Sequence, residues 1–488
     1  MDACDKNDKN TESARLLYGW LVFAVSALIL AGLFAFLIAM ARTPVVQELF
    51  AGSDFVRIAL VGHVNLSFVI WFLAFEGALW TFAATAFLKT RVFSPAAGWG
   101  GLSLSVAGTA MITAACMLGL GKPLFVNYIP VIDHPVFYAG LLTLAAGIFI
   151  TIANSMLTAW KTRKERKDLA YGKGLSLAAF GAASSAAAVF AAILCFGLSF
   201  YFKAASGAVT SSDLETVFWG GGHILQFANT MAMVSAWIFI TGLLFNTFSI
   251  REGYGKLLYA VFLLFVASAP FLYLLYDIDS YGYRRAFTGL MQYGLGPSTV
   301  IFAAAVLFSA CGSGKGGLIS KIKELPWKTP EFSSLVISMA LFAAGGIISL
   351  TIHGYNTKIP SHYHGAIGGV TTAFMGMTYC LIRALGVEIK SPRIARIQPY
   401  VYGMGQILFV IGMFWAGSHG VARKTFGSAQ NLNDTAKIVS MAIVGIGGLI
   451  AITGGALFVV NAGVSLMPSI DNGAARRKTA LKTYPEGT

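Results

Sequence analysis

Apolar runs of membrane-spanning length recur twelve times along the chain. They lie at roughly 18–41, 56–88, 98–120, 134–160, 175–202, 214–246, 257–277, 288–311, 332–352, 361–385, 398–420 and 438–465. Crossing a bilayer as a helix takes about 20 apolar residues. Short polar stretches separate the runs, so the pattern predicts an all-α polytopic membrane protein with about 12 transmembrane helices. The positions of the cations set its orientation. Linkers on the N-terminal side carry Lys89 and Arg91, KTRKERKD at 161–168, Arg251 and Lys256, Lys315, Lys321, Lys323 and Lys328, and Lys390, Arg393 and Arg396. Arg476, Arg477, Lys478 and Lys482 follow the last run. The opposite linkers carry Arg42, Lys122, Lys203, Lys358 and two local pairs, Arg284–Arg285 and Arg423–Lys424. Basic loops stay in the cytoplasm, so both termini are expected there. The first apolar run, from Leu16, is too long for the core of a signal peptide and is read as the first span. The expected organisation is a cytoplasmic tail over 1–17, one twelve-helix membrane domain over 18–465 and a second cytoplasmic tail over 466–488.

Composition narrows the class. The 488 residues are 56% hydrophobic and 11% charged, whereas soluble domains carry about 25% charged residues. The net charge of +14 follows from membrane topology and does not call for nucleic acid. The five cysteines, Cys4, Cys116, Cys195, Cys311 and Cys380, lie far apart. They form no CxxC or CxxCH, which excludes an attached c-type haem and a zinc knuckle.

Chemistry enters with the histidines. His63, His223, His362 and His364 lie inside apolar runs, where an ionisable residue is expensive and marks function by default. They belong to the second, sixth and tenth spans, which all run inward, so all four sit in the outer half. Neutral imidazole at one depth on three helices suits haem iron or another transition metal. His362 and His364 are two residues apart and so point about 200° from one another on a helix, one to each face. Glycines beside them (Gly62, Gly220, Gly221, Gly222 and Gly365) leave room for a flat macrocycle, and equally serve close helix packing. His134, His353 and His419 stand at run ends and are read as structural, with His353 also able to reach a propionate. The outer pairs Arg284–Arg285 and Arg423–Lys424 are suited to clamping carboxylates, or to anchoring helix ends.

With twelve spans, a histidine in the second, Trp219 to His223 in the sixth, HYH in the tenth and a basic pair after the eleventh, the chain resembles subunit I of the haem-copper oxidase superfamily. That superfamily includes the cytochrome c oxidases and nitric oxide reductases. The resemblance implies that His63 and His364 ligate a low-spin haem and that His362 is the proximal ligand of a high-spin haem. It places His223 beside a second metal, and Arg423 and Lys424 at the haem propionates. It implies a respiratory terminal reductase of the bacterial cytoplasmic membrane, passing electrons between the haems to a small gas, O₂ or NO. Electrons would come from a cytochrome c subunit, a soluble cytochrome c or quinol, and other oxidase subunits would be partners, with membrane lipid around them.

The chain departs from the family pattern in three places. Where the family has two adjacent histidines in the seventh span, this chain reads ASAPFLYLLYDIDSYGYRRAFTGLMQYG. Asp277, Asp279, Tyr276 and Tyr281 offer oxygen there, with Gln226 one turn below His223. Such donors suit iron better than copper, so the second metal is expected to be copper or non-haem iron, with Asp277 a candidate ligand. The competing expectation is that Asp277 and Asp279 pair with Arg284 or Arg285. Phe227 stands where common oxidases have a cross-linked tyrosine, and the eighth span has no lysine for a proton path. Glu76 is the one carboxylate in the body of a span. These departures favour NO over O₂. The alternative function is a haem-carrying electron-transfer subunit without a second metal. A cofactor-free transporter is disfavoured, because no inverted repeat is visible.

Overall fold

The computed structural model describes residues 2–46, 48, 54–87, 90–165, 175–312 and 322–467. The expected C-terminal tail from 468 onward, and the loop cations Lys89, Arg166, Lys167, Lys315 and Lys321, lie outside them. Twelve helices are long and apolar enough to span a membrane. They are α1 (Glu12–Arg42), α2 (Asp54–Thr85), α3 (Pro95–Met117), α4 (Pro135–Thr162), α5 (Ser176–Ser206), α6 (Ser211–Phe245), α7 (Glu252–Leu275), α8 (Tyr281–Gly312), α9 (Pro330–Ser349), α10 (Lys358–Ala384), α11 (Pro392–Ser418) and α12 (Thr435–Leu466).

Every expected span is present, but several helices begin before their apolar run. α11 starts at Pro392 because the Ser391 hydroxyl accepts from the backbone N–H of Ile394. Ser94 does the same for α3 through Ala97, and Asp434 for α12 through Lys437. A capping residue followed by proline suits a first helical turn, yet it is too polar to count towards an apolar run. Two features fall outside the helical pattern. A short antiparallel hairpin, β1 (Lys122–Leu124) and β2 (Val131–Asp133), joins α3 to α4 with Leu124 opposite Val131. Asn65–Ile70 within α2 and Ala83–Phe87 across its end are π-helical, a distortion frequent at functional sites.

The residues gather into two compact units, Met1–Phe23 with Phe72–Leu325 and Ala24–Trp71 with Pro326–Thr488. The first holds the part of α2 from Phe72 onward and all of α3 to α8. The second holds most of α1, the start of α2 and all of α9 to α12. The three histidine-bearing helices α10, α6 and α2 are the most enclosed of the twelve.

In the second unit, α9 and α10 run antiparallel with their backbones in contact. A Cβ on Gly365 would lie 2.6 Å from the Gly345 Cα, and one on Gly345 would lie 2.5 Å from the Ala366 nitrogen. The other end of the pair is closed by an ion pair between Glu331, in the first turn of α9, and Arg383, in the last turn of α10. Neither helix can retreat cheaply from an added side chain. Gly365→Ala is therefore expected to destabilise the protein by about 1–3 kcal/mol, the usual cost of overpacking. Thermal unfolding of the detergent-solubilised protein checks this, and an unchanged melting temperature would contradict the contact.

Candidate functional site

The start of α10 is fastened on three sides. The Thr357 N–H donates to the Val421 carbonyl, and Asn356 pairs with Ala422 across an isolated bridge. Inside, the Thr357 hydroxyl donates to Met413 O and the Ser361 hydroxyl to Val410 O, both at 2.8 Å. These bonds fix the height and rotation of the next turn, which carries His362 and His364.

Two imidazoles of this unit, His362 and His63, have their tautomers set by a carbonyl. His362 Nδ1 lies 2.8 Å from Gly345 O, and His63 Nδ1 lies 3.1 Å from Ala31 O. A carbonyl only accepts, so Nδ1 carries the proton and, in the neutral ring, Nε2 keeps its lone pair. Bonding of this kind orients metal-ligating histidines. His364 faces the other way. Its ring packs on Phe409 with centroids 4.3 Å apart, faces the Gln406 carboxamide, and is within electrostatic reach of His63 and Arg42. The Gln406 Nε2 donates to the Tyr402 hydroxyl at 3.2 Å, and its buried Oε1 has no hydrogen-bond partner. All three rings keep accessible surface although they sit on two of the most enclosed helices. Rings surrounded by protein that still keep accessible surface fit a flat cofactor bound within the unit.

Cations gather beside this cluster. Arg42 ends α1, stacks over Phe426 at 5.4 Å and donates to Thr425 O at 3.4 Å. Its buried Nε has no hydrogen-bond partner, and Arg423 is close enough to repel it. Arg423 lies 5.8 Å over both Tyr355 and Tyr363. Lys424 adopts a left-handed φ of 60°, an uncommon conformation for a non-glycine residue, and one that turns the chain between the two cations. The positive charge in this unit suits the carboxylates of a haem.

The first unit holds His223. Its Nδ1 donates to Trp219 O at 2.7 Å, one turn back on α6. Its Nε2 meets the Tyr128 hydroxyl at 3.0 Å and the Thr288 hydroxyl at 3.5 Å. Unlike the other three histidines it is only 2% exposed. Gln226 donates to its own helix at Gly222 O. Asp277 lies in the turn between α7 and α8, where its Oδ1 accepts from the Asp279 N–H at 2.8 Å. Asp279 pairs with Lys203 at 2.8 Å, and not with either expected arginine. Lys203 reaches across from the end of α5, and it also holds Asp213 at 3.0 Å. Arg284 is engaged elsewhere, 5.6 Å over the Trp219 ring with an NH₂ 3.4 Å from the Thr216 hydroxyl. Tyr276 and Tyr281 are exposed. Among the described residues, no three of His, Cys, Asp and Glu gather where they could hold a metal ion. Glu76 is fully buried in this unit, and neither carboxyl oxygen has a hydrogen-bond partner.

The remaining histidines serve helix ends or lie outside the cluster. His134 Nδ1 accepts from the Val136 N–H, His419 Nδ1 donates to Trp415 O, and His353 is exposed. Sequence reasoning missed Arg42, Gln406 and Tyr128. Arg42 carried a faint signal as a cation at the end of an apolar run on the cation-poor side. Gln406 and Tyr128 carried none, because hydropathy does not report which buried carboxamide or loop ring faces a histidine.

Comparison with known proteins gives the family and the fold. The family model described as Cytochrome C and Quinol oxidase polypeptide I matches residues 15–450. A Rickettsia prowazekii protein described as uncharacterized is 26% identical over 96% of this chain and 98% of its own length. Cytochrome c oxidase subunit 1 of Thermus thermophilus is 25% identical over 78% of this chain and 70% of its own. The cryo-EM structure of a heme-copper terminal oxidase dimer shares the fold, with a TM-score of 0.79 at 19% identity over 94% of this chain and 84% of that one.

Proposed function

The chain belongs to the haem-copper oxidase superfamily as a subunit I-type polypeptide, and from that premise we propose that it holds a low-spin haem between His63 and His364 and a high-spin haem on His362. The chain is an oxidoreductase of respiratory electron transfer, integral to the bacterial cytoplasmic membrane. Its proposed reaction is reduction of a small gas at the high-spin haem. O₂ is the family default, and the missing histidine pair of α7 favours NO.

Bound haem supplies one-electron transfer and, where an axial position is open, a place for the gas. The chain supplies the rest. The carbonyls of Ala31 and Gly345 hold the rings of His63 and His362 in the tautomer that leaves Nε2 to bind. His362 and His364 leave one helix in divergent directions, so two macrocycles need not share a face. Arg42, Arg423 and Lys424 bring positive charge to the propionates. The single observation that carries the reading is that His63 and His362, on two helices of one unit, each commit Nδ1 to a carbonyl and keep the Nε2 lone pair for a ligand bond. The electron donor is proposed to be a cytochrome c, as subunit or soluble protein, or quinol, acting with other oxidase subunits.

A second reading, an electron-transfer subunit that reduces no gas, is favoured by one observation: both ring nitrogens of His223 already have partners. Reduced-minus-oxidised spectra of the purified protein, with and without CO, separate the two. Two haems with one shifting under CO support gas reduction. Two haems blind to CO support the second reading, and no haem at all overturns both.

The cations give a further expectation. A positive charge near a haem favours its reduced form, which holds one more electron. Arg42→Gln should therefore lower the midpoint potential of the low-spin haem. The shift is about 59 mV for each tenfold change in the one-electron equilibrium. Potentiometric titration checks the sign, and an unchanged or raised potential would remove Arg42 from the site.

A further inference from the structure

We infer that His223 is committed to a closed hydrogen-bonded pair with Tyr128, and that this pair stands in the place of a second-metal ligand set. The inference rests on the haem reading only in that the second metal it replaces was expected there.

Donor and acceptor accounting comes first. The Trp219 carbonyl takes the Nδ1 proton of His223, so the neutral ring can only accept at Nε2. The Thr288 hydroxyl has its proton directed to Arg284 O at 2.9 Å, which leaves the Tyr128 O–H, 3.0 Å away, as the donor. The lone pair that would bind a metal already holds a phenolic proton.

The surroundings make this arrangement built. Tyr128 stands in the loop between β1 and β2 with a left-handed φ of 67°, a conformation that persists in a non-glycine residue only where its surroundings over-determine it. The preceding Asn127 is clamped to Glu215 of α6, backbone N–H to one oxygen at 2.8 Å and side-chain amide to the other at 2.5 Å. Gly222 makes room for the ring, since a Cβ there would collide with the Tyr128 Cγ. Trp219 and Phe287 complete an aromatic wall, with centroids 4.7 and 6.2 Å from His223. One helix thus provides the clamp (Glu215), a wall (Trp219), the gap (Gly222) and the acceptor (His223). Among the described residues no three of His, Cys, Asp and Glu gather there. Glu215 holds Asn127, Asp277 accepts from its own turn, and the Gln226 amide nitrogen donates to its own helix. What the pair does is hold the phenol's proton against Nε2 in one hydrogen bond, the proton staying on the phenol oxygen.

The test is total metal per chain in the purified protein by inductively coupled plasma mass spectrometry, set against haem counted as the pyridine haemochrome. The expected result is iron equal to haem, with copper and other transition metals below a tenth per chain. One copper, or one iron beyond the haem count, that disappears in His223→Ala overturns the inference. An extra metal that persists in that variant supports it, because His223 is then not the ligand. Ultraviolet resonance Raman spectroscopy gives a readout independent of metal. The wild-type minus Tyr128→Phe difference isolates one phenol of 18 while keeping the ring that packs on Gly222. It should show a strong hydrogen-bond donor, and a phenol without an acceptor overturns the pair. If the protein holds no haem the reading above fails, while the total-metal count still decides this one.

Discussion

A His364→Ala variant is expected to lose the low-spin haem and keep the CO-reactive one, so that haem per chain falls from two to one. The reason is geometric. In the proposed bis-histidine site each imidazole supplies one axial bond, and His362, the other candidate on α10, is turned to the Gly345 carbonyl. Loss of an outer partner of a ligand typically costs roughly 10–100-fold in affinity, and loss of the ligand itself should exceed that. The fold should survive, because the ring is part-exposed and packs chiefly on Phe409. His63→Ala should give the same spectrum, which is the internal control. A six-coordinate low-spin band that persists in either variant would show that the pair is wrongly assigned.

His362→Ala should have the opposite signature. The low-spin spectrum stays, the CO response disappears, and gas turnover falls to background. Added imidazole should restore part of the CO response by entering the space the side chain leaves. The variant also removes the side-chain donor to the Gly345 carbonyl. One hydrogen bond is worth about 0.5–1.5 kcal/mol, so a modest fall in melting temperature is expected alongside. Rescue by imidazole separates a lost ligand from a damaged fold. Normal CO binding in the variant would move the proximal role elsewhere.

The twelve spans were legible because lipid imposes long apolar runs, and the four histidines inside those runs stood out against them. The ends of helices were less legible. Ser94, Ser391 and Asp434 cap helices with polar side chains, and such residues look like loop until the hydrogen bond is known. The partners of His223 could not be read at all. Tyr128 is ninety-five positions away and reaches α6 because a hairpin of two three-residue strands turns the loop back. The pairing of Asp279 was misread for the same reason. Arg284 and Arg285 are its neighbours in sequence, while Lys203, at the end of another helix, is its neighbour in space.

The π-helical stretch Asn65–Ile70 follows His63 by one residue. A π turn holds one residue more than the α turn it replaces, so it acts as a local insertion within α2. Upstream and downstream side chains then obey two different phases, offset by about 100°, the rotation per residue of an α-helix. Inside the second unit His63 keeps one phase and Trp71 the other. A deletion of a single residue between 65 and 70 would restore ordinary helical bonding and still be harmful, since it would swing His63 to a new azimuth. Relatives aligned through this stretch should therefore show a conserved length even where the residues differ, and a one-residue gap should mark a subgroup whose histidine has been re-aimed.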